Sequence, residues 1–562
     1  MSNSLFNRVL NIPELAALFA HLLSRQDLAK LGRTSRNCFK VTAKFVWREV
    51  WGVHNLLKLI PGTTCTKRAG GYSLSLPNLN AADLTRFKHY APHVTYLHIL
   101  PQLQAKYQFS DWKKLAKYAT TALLLPNLQT LAYESDSTQD DVFTRWITAF
   151  LSANVTTVHT HSVMWTNEVM VSTRRAETLL KEVSKSCTAI TDLSFFPVDP
   201  YVWKSSLINE DRDLGDFQAE TELEDESNGN NRPAAFYDYL RPMHDLKNLT
   251  TTSFIAVSGA IEVLASLPNL KKLSLYCSFP NEYLVYQLSP KYPDHPFRSI
   301  TTLELLFPDM DCIRQVWSLA PLVNNLTEVM IRLQASNGED DDYDDYDDDD
   351  EDDEFSSARN FVGFIQELCK RSPRVQKLII DFDAAEGYIS QALSLETLKY
   401  LVALPLQTLD LRHALLERVP QACRILEQCG TLRNIHLQDQ RVTYEHLVCF
   451  SQIPRLELFH AEIIWNDTRG IQKHKSSPSP RTSDITFLHC SIGIPKQQGI
   501  TNAGTEPDLL RFLLVHFPKL EEIAWVGTSM YGVGPGVTDE VCVEFTKLVK
   551  AARKGEDNKR SK

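Results

Sequence analysis

Apolar residues recur along most of the chain in one frame, Leu-x-x-Leu-x-Leu. The clearest copy is Leu270-Lys-Lys-Leu273-Ser-Leu275. Others start at Leu128, Ile300, Leu326, Val375, Leu406 and Leu432, with weaker ones at Val94, Val155, Ile190, Leu249, Ile485 and Leu520. Alternating apolar positions after a turn leucine predict a short strand with one inward face. Between copies the spacing becomes that of amphipathic helices, at 110–125, 140–153, 174–186, 311–322, 360–370, 417–428 and 508–517.

Strand and helix alternating at roughly 21–36 residues predict an α/β leucine-rich-repeat solenoid. Parallel strands then line a concave face and helices cover the convex one. A doubly wound α/β domain shares the alternation, but no phosphate-loop signature accompanies it here. The three leucine-type positions point inward, so the residues between them point out on the concave face. That column includes Tyr276, Glu304, Met330, Arg332, Lys377, Asp410, Arg412 and His436. Both charge signs, an aromatic and a methionine make a surface suited to a protein target, and too balanced for nucleic acid.

Ahead of the repeats, residues 11–47 predict three short helices. Asn11 and Pro13 start the first, which carries Leu15, Leu18, Phe19, Leu22 and Leu23 in one stripe. Ser24 and Asp27 end it and cap a second with Leu28 and Leu31; a third runs through Val41 and Phe45 to Trp47. So small a piece buries no core alone, and its apolar residues need a partner.

This stretch resembles the F-box, which docks proteins onto the Skp adaptor of cullin–RING ubiquitin ligases. The landmarks are Ile12-Pro13-Glu14-Leu15, Leu18-Phe19, Leu22, Asp27-Leu28, Arg33-Thr34-Ser35-Arg36 and Trp47. Ile12 replaces the usual Leu, and Thr34 stands where Val is common. The resemblance implies that Ile12, Pro13, Leu15, Leu18, Leu22, Leu28, Leu31 and Trp47 contact the adaptor. The body is similar to the irregular repeats of F-box proteins, lacking most of the Asn or Cys residues that fix the turn in tighter families. The implied function is a substrate-recognition adaptor of a Skp–cullin–F-box ligase. The alternative is a repeat scaffold without a ubiquitin role, its first helices merely capping the solenoid.

The predicted organisation is an F-box-like piece at 1–51, a connector at 52–84, repeats over 85–550 and a basic tail at 551–562. Two acidic insertions interrupt the repeats. Residues 209–233 hold nine acids, and 339–354 hold 14 of the chain's 69. The second accounts for the net charge of −10, leaving 55 acids against 59 Lys and Arg. Neither insertion has the apolar content to offset the entropy of ordering. Both are expected as mobile loops, and 473–481 as a shorter one.

Eleven scattered cysteines without a Cys-x-x-Cys predict reduced thiols and a cytoplasmic or nuclear location. No apolar run reaches the ~18–20 residues that span a bilayer, and Leu15–Leu23, broken by His21, makes a poor signal peptide. The glycines of 527–536 lack the Gly-Lys-Ser/Thr ending of a phosphate loop. His89/His93 and His159/His161 have no third ligand in sequence, and Asp381-Phe382-Asp383 lacks the later positions of a calcium loop. No nucleophile motif appears, so a binding protein without catalytic residues, metal or cofactor is expected.

Overall fold

Each Leu-x-x-Leu-x-Leu segment forms a rung: a turn closed by the first leucine, then a short strand whose next two leucines point inward. Leu270, Leu273 and Leu275 are all buried, as are Leu432, Ile435 and Leu437. The computed structural model describes residues 12–68, 71–79, 83–100, 106–121, 123–133, 140–160, 170–198, 235–257, 260–277, 292–308, 310–334, 353–383, 391–464, 483–490, 506–525 and most of 546–554. The expected loops at 209–233, 339–352, 473–481 and 527–536 lie outside these residues, as does the tail from 555.

The chain divides into two compact units, residues 1–279 with 286–299, and residues 280–285 with 300–562. In the first, seven parallel strands lie side by side: β1 (Glu49–Trp51), β2 (Tyr96–His98), β3 (Thr130–Ala132), β4 (Thr157–His159), β5 (Asp192–Ser194), β6 (Asn248–Thr252) and β7 (Lys272–Tyr276). In the second there are eight: β8 (Thr302–Leu306), β9 (Glu328–Gln334), β10 (Lys377–Asp383), β11 (Thr408–Arg412), β12 (Asn434–Val442), β13 (Leu458–Ile463), β14 (Phe487–Cys490) and β15 (Glu522–Trp525). Helices such as Thr173–Ser186 and Asp353–Arg371 return the chain between rungs. Each unit is therefore an α/β solenoid of leucine-rich-repeat type.

Side chains tie each rung to the one before. Thr95, Thr156, Thr191, Thr327 and Thr486, each just after the turn residue, donate to a carbonyl of the preceding rung at 3.2–3.3 Å. One step before the turn residue, Asn127, Asn154 and Asn269 do the same at 2.8, 2.6 and 2.9 Å. At the far end the Thr546 hydroxyl bonds both the N–H and the C=O of Ile523, occupying polar backbone of the last strand.

The structure corrects several boundaries. The ladder begins inside the expected F-box piece, because Val50 pairs with Leu97 and Trp47 takes the turn position of the first rung. The expected connector holds helix Val53–Leu57 and an antiparallel hairpin, Thr64–Arg68 with Gly71–Ser75. Leu249 is the second leucine of its rung, not the first: it pairs with Leu193 and Leu273. Besides the Trp47 rung a second one is additional, Leu456-Glu-Leu-Phe459-His-Ala461, which supplies β13. Helix Asp353–Arg371 starts within the acidic tract, ahead of the expected position 360.

The N-terminal helices are α1 (Pro13–Leu22), α2 (Arg25–Gly32) and α3 (Arg36–Val46). Pro13 sits at the first helical position, where its missing N–H costs nothing. The Ser24 hydroxyl accepts from Asp27 N–H and the Ser35 hydroxyl from Cys38 N–H, both at 3.1 Å, which fixes the starts of α2 and α3.

Candidate partner-binding surfaces

Two surfaces stand out, each within one unit. The first is on α1. Ala16 and Ala20 are buried, while Ile12, Leu15, Leu18 and Leu22 are 45, 39, 63 and 84% exposed. Positions 15, 18 and 22 share one helix face, so these residues form a continuous apolar stripe open to solvent. The other residues singled out in sequence lie differently. Leu28 is 5% exposed and Leu31 is half-buried. Trp47 is half-buried, its ring 4.6 Å from that of Tyr90. Leu28 and Trp47 thus pack the fold, Trp47 because it is the turn residue of the first rung.

The second surface is the strand face of unit two that points away from the helices. Register sets Glu304, Met330, Ile379, Asp410, His436, His460, His489 and Ala524 in one row across β8 to β15. Two residues further along, Leu306, Arg332, Asp381 and Arg412 form a second row. Charges of opposite sign alternate there and pair with one another. Arg332 Nε donates to Asp381 at 3.3 Å, and Arg412 Nη2 to Asp410 at 3.0 Å with its Nη1 3.9 Å from Asp381. Lys377 pairs with Glu328 on the next strand. His413, in a left-handed conformation at φ 54°, turns Nδ1 to Asp439 at 2.8 Å and Nε2 to within 3.9 Å of Asp381. Asp439 lies where the β12–β13 register shifts, between Leu437 and Arg441.

Three histidines continue the first row. The rings of His436 and His460 are 5.7 Å apart and those of His460 and His489 are 6.1 Å apart. Burial holds all three below the ordinary imidazole range, His460 down to about 4, where its two histidine neighbours add to the effect. Asp410 works in the opposite direction on His436, and Glu522 on His489. At neutral pH the three imidazoles are therefore uncharged. Among the described residues no three His, Cys, Asp or Glu side chains are grouped to hold a metal ion.

Of the expected target-contacting residues, Glu304, Met330, Lys377, Arg412 and His436 are half-exposed neighbours on this face. Arg332 and Asp410 belong to the same face but are buried in its ion pairs. Tyr276 lies in the other unit and is 3% exposed, with the Phe196 ring edge-on at 6.1 Å. Phe196 belongs to a small parallel pair of strands, Phe196–Val198 with Met170–Ser172. His413, His460 and His489 were not singled out in sequence, whereas Asp381 was weighed there as the start of a calcium loop. A signal for the histidines exists, since one occupies the same repeat position in Ile435-His436-Leu437, Phe459-His460-Ala461 and Leu488-His489-Cys490.

On the helical side of unit two a cleft of about 400 Å³ opens between helices Met310–Ser318 and Asp353–Arg371, lined by Trp317, Phe364, Arg314, Glu367 and Arg371. Arg371 donates to the Trp317 and Ser318 carbonyls at 3.0 and 3.2 Å and pairs with Glu367, so its charge serves the fold. No described helix is long and apolar enough to cross a membrane.

No family model matches the chain, and no curated protein matches it in sequence. Among solved structures it is similar to an internalin of Listeria monocytogenes, at 11% identity over 71% of this chain and 83% of that one, with a TM-score of 0.26. It is also similar to the leucine-rich-repeat protein LegL7 of Legionella pneumophila, at 11% identity over 70% and 90% of the two chains and a TM-score of 0.28. The TLR13 chain of a complex with ssRNA13 is 13% identical over 82% of this chain and 60% of its own length, with a TM-score of 0.31.

Proposed function

We propose that this chain is a protein-interaction scaffold that joins two partners, a Skp-type adaptor at α1 and a protein target on the inner strand face of unit two. In this reading it is a substrate receptor of a cullin–RING ubiquitin ligase, acts by binding rather than catalysis, and works in the cytoplasm or nucleus. The observation that carries it is the exposure of Leu18 and Leu22, when the turn and strand leucines of the repeats are buried. Burying a leucine contributes about 1.5–3 kcal/mol, so the pair is a strong reason for α1 to seat in a groove. The F-box-like landmarks name the groove's owner.

A repeat scaffold without a ubiquitin role is the second reading. It is favoured by the inward packing of Leu28 and Trp47, which makes part of the head an extension of the ladder. Capture of purified Skp adaptor by the full chain separates the two. We expect capture, and its loss in Leu18→Asp/Leu22→Asp with the fold intact. A folded wild-type chain that captures no adaptor would end the ligase reading and leave the scaffold.

A further inference from the structure

The first strand of unit one carries a tryptophan that is open to solvent and yet fixed in place. Trp51, on β1, is 43% exposed. Its ring stacks on that of His98, its register partner on β2, with centroids 4.2 Å apart and planes 17° apart. The His98 ring is buried and anchored in turn, its Nδ1 donating to the Leu100 carbonyl at 2.9 Å. The Trp51 indole N–H donates to the Glu49 carboxylate at 2.5 Å, and Asn55 donates to the Trp51 carbonyl at 2.7 Å. Tyr96, across from Glu49, brings a further ring to 6.5 Å from that of Trp51. Among the described strands β1 pairs with β2 alone. The indole face turned away from His98 therefore looks out past the start of the ladder, with Glu49 beside it. We propose that this site binds an arginine side chain of a partner protein, the guanidinium stacked on Trp51 and paired with Glu49.

Charge and shape both select that group. An indole face carries negative potential and is the best aromatic partner for a cation. Glu49 is exposed, and among the described residues no Lys or Arg pairs with it and no cation lies over Trp51. One carboxylate oxygen, Oε1, accepts from the indole, which leaves the other for a donor. From Glu49 the register row runs through Thr130 and Thr157 to a second carboxylate, Asp192, before any basic residue. A guanidinium is flat, so it can lie on the ring while its edge donates to the carboxylate. A lysine ammonium is a point charge that holds its water more tightly. The ring and its carboxylate are already held in position, so binding need not order them. The site involves no residue of α1 or of the strand face of unit two.

The test uses the full chain grown with 5-fluorotryptophan, in which each of the nine tryptophans gives a fluorine resonance. Trp51→Phe identifies the Trp51 signal by its loss. The probes, titrated at low salt, are the acetylated and amidated tripeptide Gly-Arg-Gly and its analogues with lysine or citrulline at the centre. Citrulline is the neutral isostere of arginine. The arginine peptide should shift the Trp51 signal saturably, and the other two should each need at least about threefold more for half the shift. In Glu49→Gln, whose amide oxygen can still accept from the indole, the arginine peptide should weaken by about the same factor. Reading the signal at Trp51 keeps binding elsewhere, as to the acid-rich stretches, out of the result. A Trp51 signal that does not move would overturn the proposal. So would a citrulline or lysine peptide that matches arginine, or an unchanged response in Glu49→Gln. The peptide comparisons are read on the wild-type chain, so they do not depend on a variant folding.

Discussion

Asp381 is where the inner face of unit two is most vulnerable. It sits in register between Arg332 and Arg412, and its side chain is 10% exposed against 11% for Arg332. Asp381→Ala removes the carboxylate that Arg332 contacts at 3.3 Å and that Arg412 and His413 approach at 3.9 Å. Arg412 keeps Asp410 at 3.0 Å, so most of the damage falls on Arg332. Breaking a buried ion pair from one side costs about 3–5 kcal/mol, because the remaining charge stays desolvated. Arg412 is 35% exposed, which lets water relieve its share and places the expected loss near the lower end, about 3 kcal/mol. Replacing both partners, in Arg332→Met/Asp381→Leu, removes the stranded charge and should recover at least half of that. Urea denaturation of the full chain, followed by far-ultraviolet circular dichroism, measures both. A loss under about 1 kcal/mol in Asp381→Ala, or a double variant no better than the single, would refute the view that this pair is buried and mutually dependent.

A helical glycine replaced by alanine usually gains about 0.5–1 kcal/mol, but Gly32→Ala should lower the melting temperature. A Cβ there would stand 2.7 Å from the Thr42 hydroxyl, which is buried and donating to Cys38 O at 2.9 Å. The double variant Gly32→Ala/Thr42→Ala should restore it, and a rise in the single variant would contradict the placement. The lowered His460 gives a pH dependence with a definite sign. The unfolded chain binds its proton near 6.5 and the folded chain only near 4. Stability from this group is therefore full above 6.5 and lost as pH falls towards 4, by at most about 3 kcal/mol. His460→Gln should flatten the fall in urea midpoint between pH 7 and 4.5; an unchanged slope would show that His460 protonates without cost.

The repeat class was readable because its leucines must be buried at fixed steps, and the strands at Leu273, Leu303 and Leu409 fall where the frame sets them. Rungs whose turn or inward positions carry other residues were hidden. Trp47 stands for the turn residue of the first, and Ala461 fills an inward position of the Leu456 rung. Leu249 was misregistered because Thr251 occupies the last inward position, where no apolar residue marks the frame. The candidate face was half legible. Which residues point away from the helices follows from alternation, so Glu304, Met330, Lys377, Arg412 and His436 were named together. What covers them does not follow. Tyr276 is covered by Phe196, a contact between segments that no spacing links, and Asp410 is covered through its pairing with Arg412 two residues along the same strand. On α1 the stripe was legible but its limits were not, since Leu28 shares the apolar character of Leu18 and differs only in what folds against it.

The Thr and Asn side chains that reach back one rung have a consequence for how the protein is made. Each strand needs only its predecessor in place: its backbone bonds, its side-chain ties and the pocket for its turn leucine all wait on the finished edge. As a unit leaves the ribosome, order of synthesis and order of assembly can coincide, and no strand has to wait for a partner not yet translated. The excursions between rungs are then free to differ. The path from Glu328 to Lys377 is far longer than that from Asn434 to Leu458, yet both deliver the next strand to the same register, because closing a longer loop adds only a logarithmic penalty. Sequence can be gained in these returns without disturbing rungs already laid down, which is where the acid-rich stretches of this chain are found.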